Sequence, residues 1–196
     1  MPSANKRRIV ILHGLSADSS SDWYINVADH FSALGCETLI PNLPGTYAPN
    51  LNRWAKAIQA LLESNGWKAD EDLCLIGHST GCMAALRFIE SLPDQTRLGP
   101  AILVAGFPAA LFHPNVPVLV ARDPRPKQIK HKLPNLLAVH STNDWRVPIG
   151  PNSTWLEKEL GAEIFTIENA GHFIKRHGWT DWTKELYEKA DDFLGV

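Results

Sequence analysis

The sequence has no apolar run that approaches the roughly 20 residues needed to span a membrane. Residues 1–8 lead into the first strand-like segment without the hydrophobic core of a secretory signal. Cysteine is scarce: the three residues, Cys36, Cys74 and Cys82, are odd in number and have no framework spacing, which argues against a disulfide scaffold. We therefore expect a cytoplasmic protein with free thiols. The three cysteines are interpreted as buried apolar residues. The alternative for Cys82 is a redox role, because a helix N-terminus can lower a thiol pKa.

Neither a strong charge of one sign nor a metal-binding motif is present. The chain carries 19 Lys and Arg against 21 Asp and Glu, and this balance lacks the basic footprint of a nucleic-acid-binding protein. Its eight histidines form no His-Glu-x-x-His motif, and its cysteines form no Cys-x-x-Cys motif. The sequence therefore predicts no metal, no cofactor, and neither a nucleic acid nor a membrane as partner. The expected partner is a small molecule with little charge.

Strand-like and helix-like segments alternate along the 196 residues, of which 44% are hydrophobic and 20% charged. Strands are predicted near 8–12, 36–40, 72–76, 101–105, 136–140 and 163–167. Helices are predicted near 22–34, 51–65, 80–91, 152–160 and 180–194. This alternation predicts one α/β domain over residues 1–196, a three-layer α/β/α sandwich around a mostly parallel sheet of about six strands.

The least regular segment of the chain is 107–135. Its prolines are too frequent for a long helix, although 127–132 can form a short one. We predict a small lid here. The apolar run 116–120 fits either the lid or the core, and the basic residues between 122 and 132 are interpreted as a solvated surface.

The most informative motif is Gly77-His78-Ser79-Thr80-Gly81, between the apolar run 73–76 and a helix-like stretch. A strand, a sharp turn and a helix are the setting of a G-x-S-x-G nucleophile elbow. A Cβ at Gly77 or Gly81 would crowd neighbouring backbone in so tight a turn. Ser79 is therefore the candidate nucleophile.

Two further strand-like runs supply the partners that a serine nucleophile needs. Asp144 follows the run 136–139 and His172 follows the run 164–167, in the chain order Ser, acid, His. A serine hydroxyl becomes a good nucleophile when an imidazole takes its proton and a carboxylate orients that imidazole. Other candidates for the acid are Asp123 among prolines, Asp181 in a helix-like stretch, and Glu168, which lies too near His172. Asp144 is our prediction.

An oxyanion needs backbone donors from the residue after the nucleophile and from the loop after the first core strand. Thr80 fits the first role. In the second loop, Gly14 allows the backbone to present the amide of Leu15, and His13 is interpreted as structural. Four aromatic residues near strand ends are predicted to form an apolar substrate pocket: Trp23, Phe107, Trp145 and Phe173.

These motifs resemble the α/β-hydrolases, and within them the small serine hydrolases typified by retinoblastoma-binding protein 9 and its bacterial relatives. The matching pieces are His13-Gly14, Trp23-Tyr24, the elbow 77–81, Asp144 and Gly171-His172. The Leu-x-Cys-x-Glu signature for docking on retinoblastoma-type pocket proteins is absent, because Leu34-Gly35-Cys36-Glu37 has the wrong spacing. The resemblance does not extend to that interaction.

Together these features predict a serine hydrolase that cleaves small acyl esters or amides through a Ser79-His172-Asp144 triad and an acyl-enzyme. Short acyl chains are expected to be preferred over long lipids. Two alternatives use the same residues or the same fold: acyl transfer to an alcohol or amine, and a non-catalytic interaction module.

Overall fold

The computed structural model describes residues 6–108 and 124–196, and these residues build one six-stranded sheet covered by helices. The strands are β1 (Arg8–Leu12), β2 (Glu37–Leu39), β3 (Leu73–His78), β4 (Ala101–Val104), β5 (Leu136–Ser141) and β6 (Glu163–Ile167). Their order across the sheet is β2-β1-β3-β4-β5-β6, and every neighbouring pair is parallel. The predicted α/β class with a six-stranded, mostly parallel sheet is confirmed.

Helices cover both faces of this sheet. They are α1 (Tyr24–Ala33), α2 (Leu51–Ser64), α3 (Thr80–Ser91), α4 (Pro126–Lys132), α5 (Ile149–Trp155) and α6 (Lys184–Leu194). A π-helical turn, Leu156–Leu160, continues α5, and a short 3₁₀ turn spans Lys175–His177. One hydrophobic core lies between the sheet and α2, α3 and α4, and the other lies between the sheet and α1 and α6. The predicted three layers are therefore present.

Strand β3 shows why the sequence folds this way. Its side chains alternate between the two cores, with Leu73 and Leu75 in one and Cys74 and Ile76 in the other. A parallel strand that is covered by helices on both faces has a continuous apolar run in its sequence. Such a run in the centre of the sheet brings the elbow that follows it to the middle of one sheet edge.

Two helix starts differ from the predicted ones. The helix predicted near 152–160 begins at Ile149, directly after Pro148, whose fixed φ suits a helix entry. The helix predicted near 180–194 begins at Lys184, because the Thr183 hydroxyl caps it by accepting the Leu186 amide at 3.3 Å. Local capping groups thus shifted both boundaries.

The predicted lid, 107–135, is only partly within the described residues, since 109–123 lie outside them. This outside part includes the apolar run 116–120 and Asp123. Residues 126–132 form α4, and its buried Lys132 donates from Nζ to the carbonyls of Glu90 (3.1 Å) and Leu92 (2.5 Å) at the carboxyl end of α3. Ser79 precedes the opposite end of α3, so α4 is not a cover over the elbow. The lid stays a prediction for the rest of the segment.

No helix in the described ranges is both long enough and apolar enough to cross a membrane.

Candidate active site

Ser79 occupies a strained turn between β3 and α3. Its φ of 52° and ψ of −117° lie in a region that non-glycine residues rarely adopt. Two backbone hydrogen bonds hold this turn: the Ser79 amide donates to the Val104 carbonyl at 2.9 Å, and the Cys82 amide donates to the Ser79 carbonyl at 3.0 Å. A positive φ at the serine is the geometry expected of a nucleophile elbow.

The flanking glycines are required by close backbone contacts. A Cβ on Gly77 would lie 2.7 Å from Cys82 Cα, and a Cβ on Gly81 would lie 2.7 Å from the His13 carbonyl oxygen. Both distances are far inside van der Waals contact with atoms that cannot move aside. The crowding inferred from the motif is therefore present, and it packs the elbow against the loop that follows β1.

The structure brings Ser79, His172 and Asp144 into one hydrogen-bonded chain. His172 Nε2 lies 2.9 Å from Ser79 Oγ, and His172 Nδ1 lies 2.7 Å from Asp144 Oδ2. All three are buried, with 5–7% of each residue exposed. They follow β3, β6 and β5 at the carboxyl edge of the sheet, where open α/β sheets place their ligands.

Backbone amides fix the orientation of the carboxylate. Asp144 Oδ1 accepts from the Arg146 amide at 3.0 Å and from the Val147 amide at 3.2 Å, which leaves Oδ2 for His172. The loops of acid and base are also tied to each other, because Asn143 Oδ1 accepts from the Gly171 amide at 2.7 Å. These contacts hold the imidazole at a defined position.

The other acid candidates do not reach His172 in the same way. Asp181 bonds its own helix-entry region, through Tyr187 Oη at 2.5 Å. Glu168 accepts from the Thr142 hydroxyl at 3.1 Å on the exposed side of the loop. Asp123 lies outside the described residues. Among the described residues, Asp144 is the carboxylate that contacts His172 Nδ1.

Leu15 and Thr80 both line the cavity beside Ser79. Within the described residues, neither backbone amide donates a hydrogen bond to another group. Thr80 is the first residue of α3, whose amide has no partner inside the helix. Two donors are thus available where the sequence predicted an oxyanion site.

The prediction that four aromatic residues form an apolar substrate pocket is wrong. Trp23, Phe107 and Phe173 are at most 1% exposed and belong to the two cores, and Trp145 is 62% exposed. None of the four lines the cavity. Trp23 instead donates from Nε1 to the Phe173 carbonyl at 3.0 Å, which pins the start of α1 to the loop after His172. Large aromatic side chains were drawn into the cores because covering the sheet buries more apolar area than lining a wet cleft.

The cavity over Ser79 has a volume of about 690 Å³ and is lined by polar and apolar groups in about equal measure. Its aliphatic lining is limited to Leu15, Ala17 and Ile174. Its charged lining consists of Asp22, Arg146, Lys175 and Arg176. The sequence analysis missed these four, although Arg146 follows Asp144 by two residues and Lys175 follows His172 by three. Nearness in sequence to the predicted triad was the available signal.

A buried bridge joins the three loops of the site. His78 Nε2 lies 2.9 Å from the His172 carbonyl and therefore donates to it, which leaves Nδ1 to accept from the Tyr24 hydroxyl at 2.7 Å. That hydroxyl in turn accepts from the Gly14 amide at 3.3 Å. The bridge connects the loop after β1, the elbow and the loop that carries His172. It requires a neutral His78, and burial together with the neighbouring His172 lowers the pKa of His78 to about 3.

Buried neutral histidines make the fold sensitive to acid. Burial lowers the pKa of His140 to about 4, and its Nε2 has no hydrogen-bond partner among residues 6–108 and 124–196. In the unfolded chain, these histidines have the ordinary pKa of 6.5, whereas in the folded chain their pKa values are about 3 and about 4. At a pH between these values, the unfolded chain binds protons that the folded chain does not. Stability therefore falls as pH falls through this window. From pH 7.5 to pH 5, each histidine should remove about 2 kcal/mol from the free energy of unfolding.

Urea unfolding at the two pH values measures this loss directly. The variant His140→Leu should show a pH dependence smaller by about 2 kcal/mol, since it removes one of the buried histidines whose pKa is lowered. The interpretation fails if the free energy of unfolding is the same at both pH values.

Cys82 is fully buried, and its thiol donates to the Val104 carbonyl at 3.3 Å. Burial raises the pKa of this thiol well above its ordinary value. Desolvation therefore outweighs the helix N-terminus that the sequence suggested as an activating feature. The structure provides no basis for a reactive thiolate at this position.

The fold and this arrangement define an α/β-hydrolase. A family model described as serine hydrolase matches residues 9–188, and the chain belongs to that family and is a hydrolase. The chain is 27% identical to YdeN of Bacillus subtilis (strain 168) over 180 residues, which cover 89% of this chain and 90% of YdeN. It is 25% identical to the serine hydrolase RBBP9 of Rattus norvegicus over 181 residues, covering 88% and 89% of the two chains.

Solved structures that are similar to this chain also have the α/β-hydrolase fold. The crystal structure of the B. subtilis ydeN gene product has a TM-score of 0.85 at 26% identity, covering 97% of this chain and 100% of that chain. Carboxylesterase CesB of B. subtilis has a TM-score of 0.71 at 15% identity, covering 98% and 85%, which is a similarity of fold. The resemblance predicted from the motifs is confirmed.

Proposed function

We propose that this hydrolase cleaves small acyl esters or amides through a covalent acyl-enzyme formed on Ser79. The observation that carries the proposal is the pair of hydrogen bonds from Ser79 through His172 to Asp144, of 2.9 and 2.7 Å, at the floor of a cavity. As the Ser79 hydroxyl attacks the carbonyl carbon, His172 Nε2 takes its proton. Asp144 keeps the other imidazole proton on Nδ1 and stabilises the imidazolium.

The developing oxyanion would be held by the amides of Leu15 and Thr80, since both lack a partner in the described residues and both line the cavity. His172 then protonates the leaving alcohol or amine. In the second half, His172 activates a water that attacks the acyl carbonyl, and the acid product and the free Ser79 hydroxyl are released.

Hydrolysis is favoured over acyl transfer by the wet character of the cavity. Ser16, Lys175 and Arg176 line it and are solvent-exposed, so water has access to the acyl-enzyme. Acyl transfer needs water to be excluded from this intermediate. A purely binding role would leave the ordered chain of three side chains and the two available amides without a purpose.

A fluorophosphonate probe tests the proposal, because it reacts with an activated serine. We expect the intact mass of the wild-type protein to increase by one probe adduct, and the adduct to be absent from Ser79→Ala and His172→Ala. Peptide mapping should locate the adduct on Ser79. A folded wild-type protein that stays unlabelled, or an adduct that persists in Ser79→Ala, would refute the assignment.

A further inference from the structure

The charged groups around the cavity are unbalanced. Arg146, Lys175 and Arg176 contribute three positive charges to its lining, and Asp22 contributes one negative charge. In the described part of the chain, none of the three cations forms an ion pair with a carboxylate. A cleft lined by one sign of charge raises the local concentration of ligands of the opposite sign.

Arg146 is the residue best placed to bind such a ligand. Its backbone is fixed by the bond from its amide to Asp144 Oδ1, so its position relative to the triad is set by the acid itself. Its guanidinium carbon lies over the Trp145 ring, 5.2 Å from the ring centre, and this cation–π contact restrains the side chain. Its Nε is shielded from solvent and has no hydrogen-bond partner in the described residues.

An unpaired, shielded N–H on a restrained arginine is costly unless a ligand accepts from it. The planar guanidinium presents donors in a fork that matches both oxygens of a carboxylate. Lys175 and Arg176 come from the loop after His172 and add positive charge without a fixed geometry, because both are exposed.

Asp22 does not cancel this field. Its Oδ1 already accepts from the Lys175 backbone amide at 2.8 Å, and burial raises the pKa of this carboxyl. Asp22 therefore anchors the loop after His172. It lies near enough to Arg176 to attract its charge, but it forms no direct ion pair with Arg146, Lys175 or Arg176.

We propose that the substrate carries a carboxylate, which Arg146 binds while Ser79 attacks the ester or amide carbonyl. This proposal rests on the proposed function and names the substrate class for it. It replaces the uncharged, apolar acyl group that the sequence suggested. The reaction consumes one water: the acyl–oxygen or acyl–nitrogen bond is broken, the acyl group leaves as a second carboxylate, and the alcohol or amine leaves protonated.

The test compares ester pairs that differ only in one charged group. para-Nitrophenyl hexanoate and the mono-para-nitrophenyl ester of adipic acid differ by a methyl group against a carboxylate at the end of the acyl chain. para-Carbamoylphenyl and para-carboxyphenyl hexanoate make the same comparison in the leaving group. We expect kcat/KM to be at least about tenfold higher for the anionic member of one pair, and the preference to shrink with added salt.

Arg146→Gln should reduce that anionic preference by about 10- to 100-fold, as expected for a hydrogen-bonded charge pair. Arg146→Lys, which keeps the charge but not the fork, should restore part of it. Arg125→Gln is the matched control. Arg125 is an exposed arginine just before α4, and its amide donates to Glu90 near the carboxyl end of α3, opposite the end that follows Ser79. This variant should keep the wild-type preference. Thermal melting checks that each variant is folded.

The outcomes separate the two proposals. If Ser79-dependent turnover is present but neither pair shows an anionic preference, or if Arg146→Gln keeps it, the carboxylate proposal is wrong and the hydrolase mechanism stands. If no ester is cleaved and the fluorophosphonate probe does not label Ser79, the proposed mechanism fails, and the carboxylate proposal fails with it.

Discussion

Replacing Ser79 by alanine should lower kcat by about 10⁴- to 10⁶-fold with any ester that the wild type cleaves. The hydroxyl 2.9 Å from His172 Nε2 is the atom that would form the acyl-enzyme, and alanine offers nothing in its place. The backbone should tolerate the change, because Ser79 makes its turn contacts through its amide and carbonyl. Initial rates with para-nitrophenyl butyrate measure the effect.

Two controls make this result interpretable. Ser64→Ala removes an exposed hydroxyl at the end of α2 that donates to the Leu61 carbonyl and accepts from Asn65 Nδ2, and it should retain full activity. Circular dichroism and thermal melting should show Ser79→Ala folded as the wild type is. A rate in Ser79→Ala within tenfold of wild type would mean that another group is the nucleophile.

The second large effect is expected from Asp144→Asn, which should lower kcat/KM by about 10³- to 10⁴-fold. The side-chain oxygen of the asparagine must keep accepting from the Arg146 and Val147 amides, at the position where Oδ1 lies 3.0 and 3.2 Å from them. Its NH₂ group then faces His172 Nδ1 and donates to it. The imidazole is forced into the tautomer with its proton on Nε2, and Nε2 can no longer accept the proton of Ser79.

Glu168→Gln is the matched control, because Glu168 was the rival acid next to His172 in sequence and its carboxylate faces Thr142 instead. It should change kcat/KM by less than about twofold, as an exposed surface substitution commonly does. The assignment of the acid would be overturned if Glu168→Gln lost activity and Asp144→Asn did not.

The contiguous features of the site were predictable. The elbow needs a glycine on each side of Ser79 because backbone lies within 3 Å of both missing Cβ atoms, and that requirement is visible in five consecutive residues. The three apolar runs before Ser79, Asp144 and His172 are strands whose carboxyl ends meet at one edge, so the order of elements was enough to bring these residues near each other.

The walls of the cavity were not predictable in the same way. Trp23 and Phe173 stand near strand ends in sequence, yet each is in the core beneath the site, while Arg146 and Lys175 line the cavity. Whether a loop side chain turns toward the core or toward the cleft depends on contacts with residues far away in the chain. The Trp23 bond to the Phe173 carbonyl, across 150 positions, is one such contact.

The Tyr24–His78 bridge has the same origin. Tyr24 is next to Trp23 in sequence and His78 is next to Ser79, but nothing local shows that their polar atoms meet 2.7 Å apart. The pairing forms because α1 packs on the sheet face that carries Ile76, which brings its first turn beneath the elbow. A buried imidazole with two satisfied nitrogens is then held neutral by burial.

The sequence by itself determined the α/β class and the order of strands and helices along the chain, because these follow from local periodicity. It also indicated Ser79, Asp144 and His172 as the candidate triad, because each follows a strand-like run in the expected chain order. The tertiary structure alone decided which charged side chains line the cavity and which aromatic side chains lie in the cores. These properties depend on which side chains are buried by packing on the two faces of the sheet, and side chains that remain at the strand ends line the cavity.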